Sequence, residues 1–64
     1  MKKEDLIIFL NNNQRIRLTL KKGFFYTCTI GCLDEQTVHF RDKFREKHIV
    51  DLNEIAVVNE VKDS

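Results

Sequence analysis

Residues 15–34 constrain the fold of this chain most strongly. Ile16, Leu18 and Leu20 alternate with charged and polar residues in the first half of the segment. This period of two predicts a strand with one face on a core and the other in water. Gly23 interrupts the alternation and can supply the positive φ that a tight hairpin turn needs. A second strand rich in aromatic and β-branched residues follows, so we expect a long, bent hairpin that opens a small β-barrel.

Five short strands are predicted to follow an N-terminal helix. The predicted helix covers positions 1–12, and the predicted strands cover 14–22, 24–33, 37–41, 47–52 and 55–61. The connections are too short for the crossovers that parallel strands require. We therefore expect a mainly β fold, a five-stranded bent antiparallel barrel with an N-terminal α-helix, in which the fourth and fifth strands are the exposed edges.

The same period of two predicts which side chains share a face of the barrel. The predicted groups are Tyr26, Cys28, Ile30 and Cys32 on the second strand, Val38 and Phe40 inward with His39 outward on the third, and Ile55 with Val57 on the fifth. Cys28 and Cys32 are four residues apart, which is too far along an extended strand for a disulfide. We expect both to be buried free thiols that pack as small hydrophobes.

The predicted helix rests on a short apolar run. Leu6, Phe9 and Leu10 are spaced to fall on one helical face. Residues 11–13 are three asparagines, which tolerate left-handed geometry and compete for backbone hydrogen bonds, so the helix should end there. A strand over residues 6–10 remains an alternative, since short apolar runs do not separate the two.

Length and charge restrict the classes of protein to consider. A chain of 64 residues forms one domain, here 1–64, with a modest core that oligomerisation would help to stabilise. The net charge is +1, so binding to nucleic acid would need a local basic patch. Without a signal peptide or a membrane span in the sequence, we expect a cytoplasmic protein with reduced thiols.

Basic residues are concentrated in two segments. Arg15 and Arg17 lie on the predicted outward face of the first strand, where they suit phosphate contacts. Residues 41–48 interleave five basic side chains with Phe44, and an aromatic ring can stack a nucleic-acid base. The alternative for both segments is a solvated surface whose charge only maintains solubility.

The motifs of the chain resemble those of the Sm/Lsm family, and within it the Hfq-like Sm proteins. A hydrophobic strand leads to Gly23, with Tyr26 three residues later and Asp34 eight residues after that. Residues 34–40 resemble the segment that opens the third strand in these proteins, and residues 49–55 occupy the place of the second Sm motif. The resemblance implies an Sm-like barrel, a ring-shaped homo-oligomer that assembles through strands four and five, and binding to single-stranded RNA.

The resemblance also implies which residues bind RNA. It points to Glu35 and Gln36 after the second strand and to Asn53 in the second-motif position, in addition to Arg15 and Arg17 as phosphate contacts. The competing hypothesis is an SH3-like protein-interaction or regulatory module that binds no RNA.

Catalysis has little support in the sequence. It offers no evident catalytic constellation and no phosphate-cradling glycine loop, so we expect neither an enzyme, a cofactor nor a metal site. We expect Asp34 to stabilise its turn by accepting hydrogen bonds from nearby backbone N–H groups.

Overall fold

The computed structural model describes residues 1–62 and contains a helix followed by five strands. The elements are α1 (Glu4–Asn11), β1 (Arg15–Leu20), β2 (Phe25–Leu33), β3 (Thr37–Asp42), β4 (Lys47–Asp51), a 3-10 turn (Leu52–Glu54) and β5 (Ile55–Glu60). All four strand pairings are antiparallel, in the order β4-β3-β2-β1-β5. The mainly β fold with an N-terminal helix is confirmed, and β4 and β5 are the edges of the sheet.

The apolar run near the N-terminus is a helix, so the strand alternative is wrong. Leu6 is completely buried, and Phe9 and Leu10 pack against the core from the same face. Ile8 lies on the opposite face and is 60% exposed. The chain turns away from the helix at Asn13, which adopts a positive φ of 51°, as expected of asparagine at a helix end.

One hydrophobic core lies between the helix and a bent sheet. Its buried members are Leu6, Ile16, Leu18, Cys28, Ile30, Val38, Phe40, Leu52 and Ile55. Val50 of β4 and Val58 of β5 pack against this same cluster. A flat sheet would separate its two edge strands by about 19 Å. The sheet must therefore curl around the core to bring both edges into contact with it.

An irregularity in β2 corrects the predicted position of Cys32. Ile30 pairs with Phe40, but the next paired residue, Cys32, lies opposite His39, so Gly31 is an extra residue in the strand. A β-bulge of this kind shifts the alternation by one residue. Cys28 is buried as predicted, whereas Cys32 is an exposed free thiol.

A second irregularity corrects the predicted facing of β5. Leu20 pairs with Ile55 and Thr19 pairs with Val57, which leaves Ala56 as the extra residue. Ile55 is therefore buried, but Val57 points outward and is 47% exposed. Val58 packs against the core in its place.

The tight turn between β1 and β2 has the conformation that its glycine predicts. Gly23 has a φ of +97°, and its backbone N–H donates to the carbonyl oxygen of Leu20 at 2.9 Å.

Among residues 1–62, no helix is both long and apolar enough to span a membrane.

Candidate nucleic-acid interface

Register places three cations in one row across the sheet, on the face that points away from the core. Arg15 of β1 lies opposite Thr29 of β2, and Thr29 lies opposite Arg41 of β3. Arg41 in turn lies opposite Lys47 of β4. Neighbouring strands are about 4.8 Å apart, so this cation row (Arg15, Thr29, Arg41 and Lys47) spans only about 15 Å. We call this side of the sheet the outer face.

A groove beside this row is lined by four basic side chains. Its volume is about 290 Å³, and the basic side chains that line it are Arg15, Arg41, Lys43 and Arg45. Thr27 and Thr29 line it as well and offer hydroxyl groups. We call this feature the cationic groove. Asp42 also lines the groove and contributes one negative charge, so the net charge of the lining stays positive. A lining of this kind suits phosphate groups, which arginine and lysine bind through charge-assisted hydrogen bonds.

The tip of the β3–β4 hairpin is held in shape by Asp42. Its Oδ1 accepts hydrogen bonds from the backbone N–H of Phe44 at 2.8 Å and of Glu46 at 3.0 Å. Arg45 completes the turn with a positive φ of 67°. This turn presents Lys43 and Arg45 to the groove and leaves the Phe44 ring 73% exposed.

His48 anchors the same aspartate from the neighbouring strand. Its Nε2 lies 2.8 Å from Oδ2 of Asp42, and since an ionised carboxylate only accepts, the imidazole is the donor. This bond, together with the two backbone N–H donors, lowers the pKa of Asp42 from its ordinary value. The His48 ring also packs against Phe40 and Tyr26, with ring centroids 5.2 and 4.8 Å away. The hairpin tip is therefore fixed to the core.

Exposed aromatic rings flank the cations on the outer face. Phe25 is 61% exposed, and the guanidinium of Arg17 lies 5.3 Å from its ring centroid. At the hairpin tip, the Lys43 ammonium lies 5.2 Å from the centroid of Phe44. Both contacts are within cation–π range. Arg17 pairs with Thr27, which lines the cationic groove, so Arg17 lies at the edge of the groove although it is not part of the lining.

The other predicted RNA-binding residues lie together in a different place. Glu35, Gln36 and Asn53 line a cleft of about 300 Å³ beside the N-terminus of α1. The charges in this cleft are mixed, since Lys2 and Lys3 share it with Glu4, Glu35 and Asp51. Lys3 Nζ lies 3.4 Å from Glu35 Oε1, and the Asn53 backbone N–H donates to Asp51 Oδ1 at 2.8 Å.

The structure thus separates the five predicted residues into two groups. Arg15 and Arg17 belong to the outer face, whereas Glu35, Gln36 and Asn53 belong to the mixed-charge cleft. Thr29, opposite Arg15, precedes the 34–36 turn by five residues, or about 16 Å along the strand. Sequence reasoning noted Arg41, Lys43, Arg45 and Lys47 but did not place them beside Arg15, because that placement depends on strand register.

The carboxylate of Asp34 accepts hydrogen bonds from donors other than the predicted ones. Among the described residues it accepts from side chains instead of backbone N–H groups: Thr37 Oγ1 at 3.1 Å and His39 Nε2 at 2.7 Å. These two hydrogen bonds lower the pKa of Asp34. Asp34 therefore stabilises its turn, as predicted, but through Thr37 and His39.

One group of side chains has ligand types that a metal could use. The ligand atoms of Asp42, Glu46 and His48 lie within 4.8 Å of one another. Both oxygens of Asp42 already accept hydrogen bonds that shape the hairpin tip. The group is accounted for by this structural role.

Comparison with known proteins yields no match to a family model and none to a curated protein.

Proposed function

We propose that this protein binds single-stranded RNA without catalysing a reaction on it, as an Sm/Hfq-like module. The observation that supports this proposal most is the cationic groove, in which four basic side chains surround a volume of about 290 Å³. Phosphate contacts dominate nucleic-acid affinity. A chain with a net charge of +1 overall needs such a local concentration to bind a polyanion.

Exposed aromatic side chains favour a single strand over a duplex. Phe25 and Phe44 lie on the outer face and at the hairpin tip, and both are more than half exposed. Unpaired bases can stack on such rings, and each base stacked in this way contributes about 1–3 kcal/mol. The bases of a duplex are already stacked on each other, which leaves only its phosphates for the groove.

Assembly into a homo-oligomeric ring through β4 and β5 is part of this proposal. Both strands are edges of the sheet, and edge strands have unpaired backbone groups that can join a second chain. Val57 of β5 is 47% exposed, so this edge also has an apolar side chain to bury. A ring would repeat the groove in every subunit and raise avidity by multivalency. We place this assembly in the cytoplasm.

The second candidate is a protein-interaction module without RNA binding. The observation that favours it is the number of large apolar side chains on the surface, namely Ile8, Phe24, Phe25, Phe44, Ile49 and Val57. Exposed aromatic residues are also common in protein-binding surfaces.

Binding and sedimentation measurements distinguish the two candidates. The protein, stripped of nucleic acid by high salt and nuclease, is titrated into labelled oligo(U), oligo(A) and an RNA duplex at several salt concentrations. The RNA proposal expects salt-dependent binding that is tighter for the single strands, and sedimentation as a closed oligomer. A protein that binds none of the three, or binds the duplex as tightly as the single strands, contradicts it.

A further inference from the structure

A pocket lies on the outer face next to the cation row, on the side away from the cationic groove. Its volume is about 320 Å³. The side chains of β3 and β4 that line it from the outer face are His39, Arg41, Lys47 and Ile49. Gly31 and Cys32 of β2 also line it, and Phe40 and His48 complete the lining. We call it the bulge pocket.

The bulge in β2 creates this pocket. Gly31 is the extra residue of the bulge, and it has no side chain to fill the space in front of the sheet. A Cβ atom built at Gly31 would meet only the carbonyl oxygen of His39, at 3.7 Å, which is an ordinary van der Waals distance. The space is therefore open because residue 31 is a glycine. A side chain at this position would fit without a steric clash and would occupy part of the space.

The lining of the bulge pocket combines apolar surface with positive charge. Ile49 is 66% exposed, and Cys32 is also exposed, so both contribute accessible apolar atoms. Arg41 and Lys47 lie opposite each other on β3 and β4 and line the same pocket. A ligand that fits combines a group with apolar faces and anionic groups, as a nucleotide within a strand does with its base and its phosphates.

We propose that the bulge pocket holds one unpaired base of the bound RNA, while the neighbouring phosphates contact Arg41 and Lys47. This inference rests on the proposed RNA binding and adds to it the place where a base leaves the strand. Arg41 also lines the cationic groove, so one strand can follow the row from the groove into the pocket. Charge complementarity between these cations and the phosphates favours this occupant over an apolar peptide.

A substitution that fills the pocket tests the proposal. Gly31→Val adds apolar volume without changing any charge, and φ at residue 31 is not positive, so a β-branched residue suits the strand. The control is Thr19→Val, which changes a half-buried residue of β1 that does not line the bulge pocket. We expect Gly31→Val to bind oligo(U) and oligo(A) roughly ten-fold more weakly, because the base can no longer enter the pocket. Binding to inorganic polyphosphate, which has no bases, should be unchanged.

Alkylation of Cys32 gives a second measurement that needs no variant. Burial raises the pKa of Cys28 to about 12, so N-ethylmaleimide should modify Cys32 alone. Saturating oligo(U) should slow this alkylation at least several-fold, and polyphosphate at equal occupancy should slow it much less. The base pocket is wrong if RNA binds while leaving the alkylation rate unchanged, if polyphosphate protects equally, or if folded Gly31→Val binds RNA like the wild type. Failure of the wild type to bind any RNA would instead overturn the proposed function itself, and the base pocket with it.

Discussion

Removing two charges from the cationic groove should change the salt dependence of RNA binding by a defined amount. The variant is Arg41→Gln with Lys43→Gln, which keeps both side chains long and polar. Arg41 lines the groove from β3, and Lys43 lines it from the hairpin tip. Neither side chain is buried, so we expect the free energy of unfolding to change by no more than about 0.5 kcal/mol per substitution.

The magnitude follows from the four cations of the groove. If each neutralises one phosphate, the slope of log K against log salt concentration for a single strand is about −0.7 × 4, or about −2.8. Between 50 and 200 mM salt the wild type should then lose about 50-fold in affinity, since the concentration changes four-fold. With two contacts left, the slope should be about −1.4 and the loss about 7-fold. If the two affinities converge at 1 M salt, the variant should bind about 25-fold more weakly than the wild type at 0.1 M.

Fluorescence anisotropy with a short labelled oligo(U), repeated over this salt range, measures both slopes. The matched control is Lys21→Gln with Lys22→Gln, which removes the same charge from the β1–β2 turn, about 20 Å along β1 from Arg15. We expect the control to keep a slope close to that of the wild type. Equal slopes for wild type and groove variant would show that Arg41 and Lys43 contact no phosphate. An equal change in the control would show that general charge and not the groove determines binding.

Three further predictions concern the stability of the fold. Leu6→Ala should lower the free energy of unfolding by about 2–5 kcal/mol, because Leu6 is completely buried; Ile8→Ala, on the exposed face of the same helix, should change it by less than about 0.5 kcal/mol in the same urea titration. Gly23→Ala should cost about 1–3 kcal/mol through backbone strain alone, since a Cβ at φ +97° would meet no atom within 4 Å; an unchanged thermal midpoint would refute this. The hydrogen bond from His48 lowers the pKa of Asp42 in the folded state. Its contribution to the free energy of unfolding is therefore present above the unfolded pKa of about 3.9 and is lost as pH falls through the folded value. Asp42→Asn should make the free energy of unfolding less dependent on pH in the acid range, and an identical pH dependence would contradict the role of the His48 bond.

The strand pattern was predictable from the sequence because alternation and turn residues are local signals. Ile16 and Leu18 are both completely buried, as their spacing indicates, and Gly23 has the expected positive φ. The two errors of facing, at Cys32 and Val57, have one cause. Each follows a single extra residue in its strand. The alternation of polar and apolar residues does not predict where such a residue lies.

The candidate site was predictable only in parts, because it depends on pairing between distant segments. Arg15 was singled out from its place on an outward strand face, but its neighbour across the sheet, Arg41, is 26 residues away in the sequence. Glu35, Gln36 and Asn53 do come together, in a cleft that also contains acidic side chains. The charge of that cleft depends on α1, at whose N-terminus lie Lys2, Lys3 and Glu4. The position of α1 relative to the 34–36 turn depends on tertiary packing, which a local sequence pattern does not predict.

Because of the extra residue at Gly31, the number of residues in β2 matters as much as their side chains in deciding which of them face the core. Before the bulge the even-numbered Cys28 and Ile30 point to the core, and after it the odd-numbered Leu33 packs there instead. Deleting residue 31 would restore simple alternation and turn the following side chains to the opposite face. A substitution at this position has room for a Cβ. The fold should therefore tolerate a substitution at position 31 far better than a deletion there, even where the substitution closes the bulge pocket.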